Sequence, residues 1–149
     1  MARGSAHCDQ REFAIAKAEL SQALDEFVLI DSKRDQARCL GHMSDVEFYQ
    51  RNYPAATQLC MRAKDLFSEA GDRHGEVRSL RDLGLIALQE KDMERARLHI
   101  TEARRVCEDV GYTLKQAGLG KYFDSKGCWV EPPSVSTASF SPPTPVSPG

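Results

Sequence analysis

Histidine and cysteine side chains supply most protein metal sites and many catalytic bases and nucleophiles, so their spacing is informative. In this chain neither residue type clusters: no two histidines are spaced as His-x-x-x-His, and no Cys-x-x-Cys pair occurs. The four histidines are His7, His42, His74 and His99, and the five cysteines are Cys8, Cys39, Cys60, Cys107 and Cys128. We therefore expect no metal site, no cofactor, no catalytic residue and no enzymatic activity.

One short segment has part of a phosphate-binding loop pattern. Gly118-Leu119-Gly120-Lys121 lacks a glycine five residues before Gly120, and Tyr122 stands where a serine or threonine would reach the metal ion. Cys60 falls among regularly spaced apolar residues, which indicates a buried core position and not a nucleophile. These features predict no catalysis.

Charge and hydropathy exclude several classes of partner. The 149 residues include 20 basic and 22 acidic side chains, well mixed over the first hundred or so positions, for a net charge of -2. Such a balance gives no sustained field for nucleic acid or anionic lipid. The sequence contains no run of eighteen apolar residues, so it predicts no membrane-spanning helix. An odd set of cysteines and the lack of a signal-peptide-like run predict reduced thiols and a cytoplasmic location.

The pattern of small and apolar residues repeats every forty residues along the sequence. A shift of forty places Ala56 on Ala96 and Ala63 on Ala103, and it also places Tyr53 on Met93 and Leu66 on Val106. Spacings of three and four within each series are those of one helix face, and no segment alternates like a strand. The pattern predicts an all-α protein with helices near residues 11–30, 34–50, 54–70, 74–90, 93–110 and 113–123.

Small residues on these helices predict close packing between antiparallel neighbours. Alanine and glycine let two helix backbones approach, while larger residues fill the gaps on either side. A glycine inside a helix costs about 1 kcal/mol relative to alanine, so Gly84 indicates a tight crossing. The residues expected to pack the repeats are Ala56, Ala63, Leu83, Gly84, Ala96 and Ala103.

The segment Leu80-x-x-Leu83-Gly84-x-x-Ala87, followed by Met93-x-x-Ala96-x-x-x-Ile100-x-x-Ala103, resembles the tetratricopeptide-repeat pattern. The long repeat is similar to the arrays of kinesin light chains and of signalling NTPases. The resemblance implies an antiparallel helix-hairpin solenoid of about two and a half repeats with a C-terminal capping helix. It also implies non-enzymatic binding of a protein or peptide. The alternative is a sensor or assembly fragment of a larger signalling NTPase, acting through packing or self-association.

In tetratricopeptide repeats the first helix of each pair lines a concave groove, so the resemblance implies a partner-binding face. Its residues would be Arg38, His42, Asp45, Tyr49, Arg78, Arg81, Asp82, Leu85 and Gln89. The three arginines suit recognition of acidic side chains or of a terminal carboxylate. Alternatively, they pair with the nearby aspartates on a solvated face. The family's lysine and asparagine clamp for chaperone C-termini lacks its asparagines here, and the aspartates oppose nucleic-acid binding.

The two ends of the chain differ from the repeats. Residues 1–10 are expected to be a flexible N-terminus, residues 11–124 the repeat domain, and residues 125–149 a disordered tail rich in proline and serine. The first helix has no convincing partner, so self-association through it, or an upstream segment, is an alternative to a marginal monomer. Trp129 either docks against the last helix or anchors a partner.

The tail also contains three Ser/Thr-Pro dipeptides. Proline-directed phosphorylation there would add about -1.5 to -2 charge per site. The candidate sites are Ser141, Thr144 and Ser147. A plain solvated tail is the alternative.

Overall fold

The computed structural model describes residues 6–132, with side chains from residue 10 onward. Over this range the chain is helical and contains no β-strand. The helices are α1 (Ala6–Leu29), α2 (Lys33–Tyr49), α3 (Tyr53–Glu69), α4 (Arg73–Gln89), α5 (Met93–Val110) and α6 (Leu114–Ala117), followed by a 3₁₀ turn at Gly120–Tyr122. The prediction of an all-α protein is confirmed, and the bounds of α2 to α5 lie within one residue of those predicted.

Two helices differ from their predicted bounds. Helix α1 begins at Ala6, which is five residues earlier than expected. The prediction of a last helix over residues 113–123 is wrong, because α6 ends at Ala117. Gly118 there adopts a left-handed conformation with φ 75°, and the Leu119 amide donates to the Leu114 carbonyl at 2.8 Å. This glycine-based helix end turns the chain away from the helix axis.

The helices pack in antiparallel pairs. Helix α2 packs most extensively against α3 and α4 against α5, whereas the α1–α2 and α3–α4 contacts are less extensive. Helix α1 therefore takes the place of the second helix of a preceding pair. Ala56 and Ala63 of α3 are both 0% exposed, but their α1 equivalents Ala16 and Ala23 remain partly exposed. The predicted helix-hairpin solenoid is confirmed.

The α4–α5 crossing is tight at Gly84, as its position inside a helix predicts. A Cβ atom at Gly84 would lie 2.5 Å from Cγ1 of Ile100, well inside contact distance. The equivalent residue of the first pair, Ser44, is buried, and its hydroxyl donates to the Ala56 carbonyl at 2.8 Å. Gly84 and Ser44 therefore both let the first helix of a pair pack closely against the second helix.

Left-handed residues end five successive helices at intervals of twenty residues. Glycine occupies two of these positions, Gly71 and Gly111, both with φ 74°. The other three are Asp31 (φ 56°), Arg51 (φ 63°) and Lys91 (φ 61°). L-residues with a side chain are strained in this region by roughly 1–2 kcal/mol. The fold therefore tolerates strain at three of its five turns.

Replacing Arg51 or Lys91 with glycine is expected to stabilise the protein. Each change relieves the left-handed strain, and after the entropy cost of glycine the gain should be about 0.5–1 kcal/mol. Gly71→Ala, at an equivalent turn, should destabilise by a similar amount. Urea unfolding followed by circular dichroism measures both. A loss of stability in both glycine variants would contradict this account of the turns.

Residues 114–130 form a C-terminal cap over the second pair. Leu119 and Tyr122 are buried with the residues of α4 and α5. The indole of Trp129 stacks on the Tyr122 ring, with centroids 5.9 Å apart and planes at 8°, and the Val130 amide donates to the Tyr122 carbonyl at 2.8 Å. Docking of Trp129 is therefore the correct alternative. The packed chain extends past residue 125, where the tail was expected to begin.

Candidate functional site

The predicted partner-binding residues lie on α2 and α4, the first helices of the two pairs. We call this surface the α2–α4 face and define it by the exposed or half-buried residues that it presents. They are Arg38, His42, Asp45, Tyr49, Arg78, Arg81 and Gln89, with Asp82 nearly buried beneath them. The pKa values of several of these groups respond to one another, so the two helices bring them together.

Leu85 is not part of this surface. Its side chain is only 6% exposed and belongs to the buried cluster that also contains Leu119 and Tyr122. Its assignment to the partner-binding face is therefore wrong. The cap formed by residues 114–130 shares this cluster; a capping helix was expected here, but not the change of chain direction after Gly118.

The arginines of the α2–α4 face differ in how they are engaged. Arg81 binds Oδ1 of Asp82 through Nε at 3.4 Å and through Nη2 at 3.3 Å, and its Nη1 reaches the Ala117 carbonyl at 3.5 Å. Arg38 approaches Oδ1 of Asp35 only to 3.8 Å. The guanidinium of Arg78 makes no ion pair or hydrogen bond within the described part of the chain. The alternative that the arginines pair with nearby aspartates is therefore correct for Arg81 but not for Arg78.

Asp45 and Asp82 form an acidic pair between the two helices. Burial and the nearby Asp82 charge raise the pKa of Asp45 to about 7. Burial also raises the pKa of Asp82, against the opposing effect of Arg81 and Arg78. The Arg78 and Arg81 charges oppose the rise at Asp45 without an ion pair to it in the described part of the chain, where His42 Nδ1 lies 4.0 Å from Oδ2 of Asp45. Asp45 is therefore a carboxyl group whose ionised form is poorly compensated.

The neighbours of this pair respond to the same charges. Burial raises the pKa of Tyr49 to about 12, and the Asp45 and Asp82 charges add to the effect. Burial lowers the pKa of His42, and the charges of Arg78 and Arg38 act in the same direction. The imidazole of His42 is therefore neutral near pH 7, so it compensates little of the Asp45 charge.

A pocket of about 390 Å³ opens toward the amino-terminal ends of α2 and α4, and neither Asp45 nor Asp82 lines it. We call it the arginine pocket and define it by six of its lining residues, Arg34, Arg38, Arg78, Arg81, Tyr112 and Gln116. Sequence reasoning missed Arg34, Tyr112 and Gln116. Arg34 lies one helical turn before Arg38 on the same face, which is a signal that the sequence contained. The other two come from the loop before α6 and from α6, whose position the repeat does not predict.

Three of the cysteines are buried residues of the helical core. Cys39, Cys60 and Cys107 are free and buried, and burial raises the pKa of each thiol. Cys60 donates to the Ser79 carbonyl at 3.2 Å. Within residues 10–132, whose side chains the structure describes, no group of three histidine, cysteine or carboxylate residues is arranged to hold a metal ion. The candidate phosphorylation sites Ser141, Thr144 and Ser147 lie outside the described residues.

Fold and site together define a helical-hairpin repeat protein. A sequence model of the tetratricopeptide repeat family matches residues 35–109, from the start of α2 nearly to the end of α5. This chain belongs to the tetratricopeptide repeat family, whose repeats are generally protein–protein interaction modules. No curated protein and no solved structure matches the chain. None of the described helices combines the length and apolar content required to cross a bilayer.

Proposed function

We propose that this protein binds a segment of another protein on the α2–α4 face. The observation that carries the proposal is the set of incompletely paired charges there. Arg78 has no ion pair among the described residues, and Asp45 is a mostly buried carboxyl whose pKa is raised although the charges of Arg78 and Arg81 act to lower it. Among the other described arginines, Arg73, Arg95 and Arg105 are paired with carboxylates, whereas Arg62 and Arg97 on the second helices are not.

A bound segment would supply the missing partners. A half-buried carboxyl without a close cation lowers folding stability and an exposed arginine without an ion pair adds little to it, whereas a ligand that pairs such groups gains charge-assisted hydrogen bonds. The two pairs of helices give a short face, so a single segment should bind weakly unless a second contact extends the interface.

Selection from a displayed peptide library tests this function. Peptides retained by the wild type should be lost when Arg38 and Arg78 are both changed to glutamate. The matched control is Arg62→Glu with Arg97→Glu, since both arginines are exposed on the second helices α3 and α5. Retention of the same peptides by the first variant, or equal loss in both, would show that the α2–α4 face is not the binding site.

A second candidate is assembly through α1, either with another copy or within a larger signalling NTPase. It is favoured by large apolar side chains at the end of this helix, including Leu29, which is 85% exposed, and Ile30, which is 68% exposed. Against it, Glu19 and Glu26 occupy the positions equivalent to Leu59 and Leu66, which pack on the core. A polar outer face of this kind is typical of terminal repeats. Sedimentation of a dimer that dissociates on Ile30→Glu would support assembly.

A further inference from the structure

The arginine pocket brings guanidinium groups from two helices to one cavity. Arg34 and Arg38 come from α2, and Arg78 and Arg81 come from α4. Its volume of about 390 Å³ lies within the range of small-ligand sites, roughly 300–1,000 Å³. The cavity is therefore large enough to admit side chains of a bound segment.

The charges in this pocket do not cancel. Among the described residues that line it, Asp72 is the only acidic one, and its carboxylate is already engaged by Nε of Arg34 at 2.9 Å and by the Gly75 amide at 3.0 Å. Arg81 is held by Asp82. Arg78 remains without an ion pair among the described residues, and Arg38 has only a loose one at 3.8 Å. Two guanidinium groups at equivalent positions of the repeat are thus available to one anion.

The walls of the pocket add apolar surface and further polar groups. Phe67 and Val77 line it together with the Tyr112 ring, which packs edge-on against His74 with centroids 4.4 Å apart. Methylene groups of a long acidic side chain would pack on these rings while its carboxylate meets the arginines. A lysine or arginine would instead meet like charges, and a purely apolar side chain would leave the guanidinium groups unpaired.

We infer that the arginine pocket binds an acidic side chain, of the glutamate or aspartate type, from the protein segment held on the α2–α4 face. This inference rests on the proposed function and adds the chemistry of the partner. Arg78 offers two parallel N–H donors to the carboxylate, and Arg38 offers a second guanidinium from the facing helix. The partner segment should therefore carry at least one acidic residue, and its affinity should fall as salt increases.

Titration with two small peptides tests the inference. The probes are tetraglutamate and tetraglutamine, both acetylated and amidated so that no terminal charge contributes. Tetraglutamate should shift the backbone amide resonances of Gly75, Val77 and Gln116 in NMR spectra, and tetraglutamine should not. Arg78→Gln should weaken tetraglutamate binding at least about tenfold. Arg97→Gln on α5 is the control and should change it less than about twofold.

The outcomes separate this inference from the function on which it rests. Three results would overturn the inference that the pocket binds an acidic side chain: no binding of tetraglutamate, equal binding of tetraglutamine, or an Arg78→Gln variant that binds tetraglutamate as tightly as the wild type. Library-selected peptides that bind the α2–α4 face without any acidic residue would also overturn it, while leaving the proposed function intact. Selected peptides that bind α3 and α5 instead would overturn the function itself. Because Arg78 is exposed and unpaired within residues 6–132, its variant should fold normally, which the circular dichroism spectrum checks.

Discussion

Replacing Asp45 with asparagine should stabilise the protein at pH 8 by on the order of 3 kcal/mol and by less than about 1 kcal/mol at pH 4. The native pKa of this carboxyl is raised from 3.8 to about 7, first by burial and then by the Asp82 charge. The unfolded chain therefore ionises Asp45 more readily than the folded protein does. Asparagine has nearly the same shape and carries no charge, so it removes this penalty.

The direction of the pH dependence follows from the raised pKa. Below about pH 4 the carboxyl is protonated in both states, and it contributes no penalty. Between about pH 4 and pH 7 the unfolded state releases its proton first, so the wild type loses stability relative to the variant. Above about pH 7 both states are ionised and the difference is constant.

Urea unfolding of both proteins at pH 4, 6 and 8 measures this effect. The matched control is Asp25→Asn on the exposed surface of α1, which should change stability by less than about 0.5 kcal/mol at every pH. An Asp45→Asn protein that is equally or less stable than the wild type at pH 8 would refute the assignment of Asp45 as a poorly compensated buried charge.

Opposite effects are expected from alanine at two helix glycines. At Gly84 the new methyl group would lie 2.5 Å from Cγ1 of Ile100, and overpacking of this kind costs roughly 1–3 kcal/mol. At Gly41, inside α2, a Cβ atom meets nothing within 4 Å, so the higher helix propensity of alanine should stabilise by about 1 kcal/mol. Gly84→Ala should therefore lose up to about 2 kcal/mol after its own gain in propensity.

A double-mutant cycle isolates the cause at Gly84. Ile100 is 0% exposed, and Ile100→Ala alone should cost roughly 2–5 kcal/mol because it leaves a cavity. In that background Gly84→Ala should be neutral or stabilising, since the obstructing side chain is gone. If Gly84→Ala costs the same with and without Ile100, the glycine is not required by close helix packing.

Most of the fold could be predicted because the spacing of small and apolar residues along the sequence reveals the repeat. Ala56, Ala63, Ala96 and Ala103 recur at forty residues on one helix face, and this periodicity identifies the paired helices and their contacts. The chain beyond α5 could not be predicted in this way. The aromatic residues after Gly118 fold back onto the second pair of helices. This segment occurs once in the sequence, so no equivalent segment forty residues away indicates its structure.

The site was predictable only in part. Arg38 and Arg78 correspond under the forty-residue shift, which placed both on the first helices. Asp45 and Asp82 do not correspond, since Asp45 is equivalent to Leu85, and their proximity depends on how α2 and α4, the first helices of successive pairs, are stacked. Tyr112 reaches the pocket from the loop before α6. Contacts between elements that are distant in sequence are not contained in periodicity.

Photo-crosslinking tests most directly the claim that the α2–α4 face binds a protein segment. A photoreactive amino acid is placed at His42, on that face, or at Leu98, which is 69% exposed on α5, and each protein is irradiated with a library-selected peptide. We predict efficient crosslinking from position 42 and little from position 98. Crosslinking mainly from position 98, or equally from both, would contradict the proposed binding face.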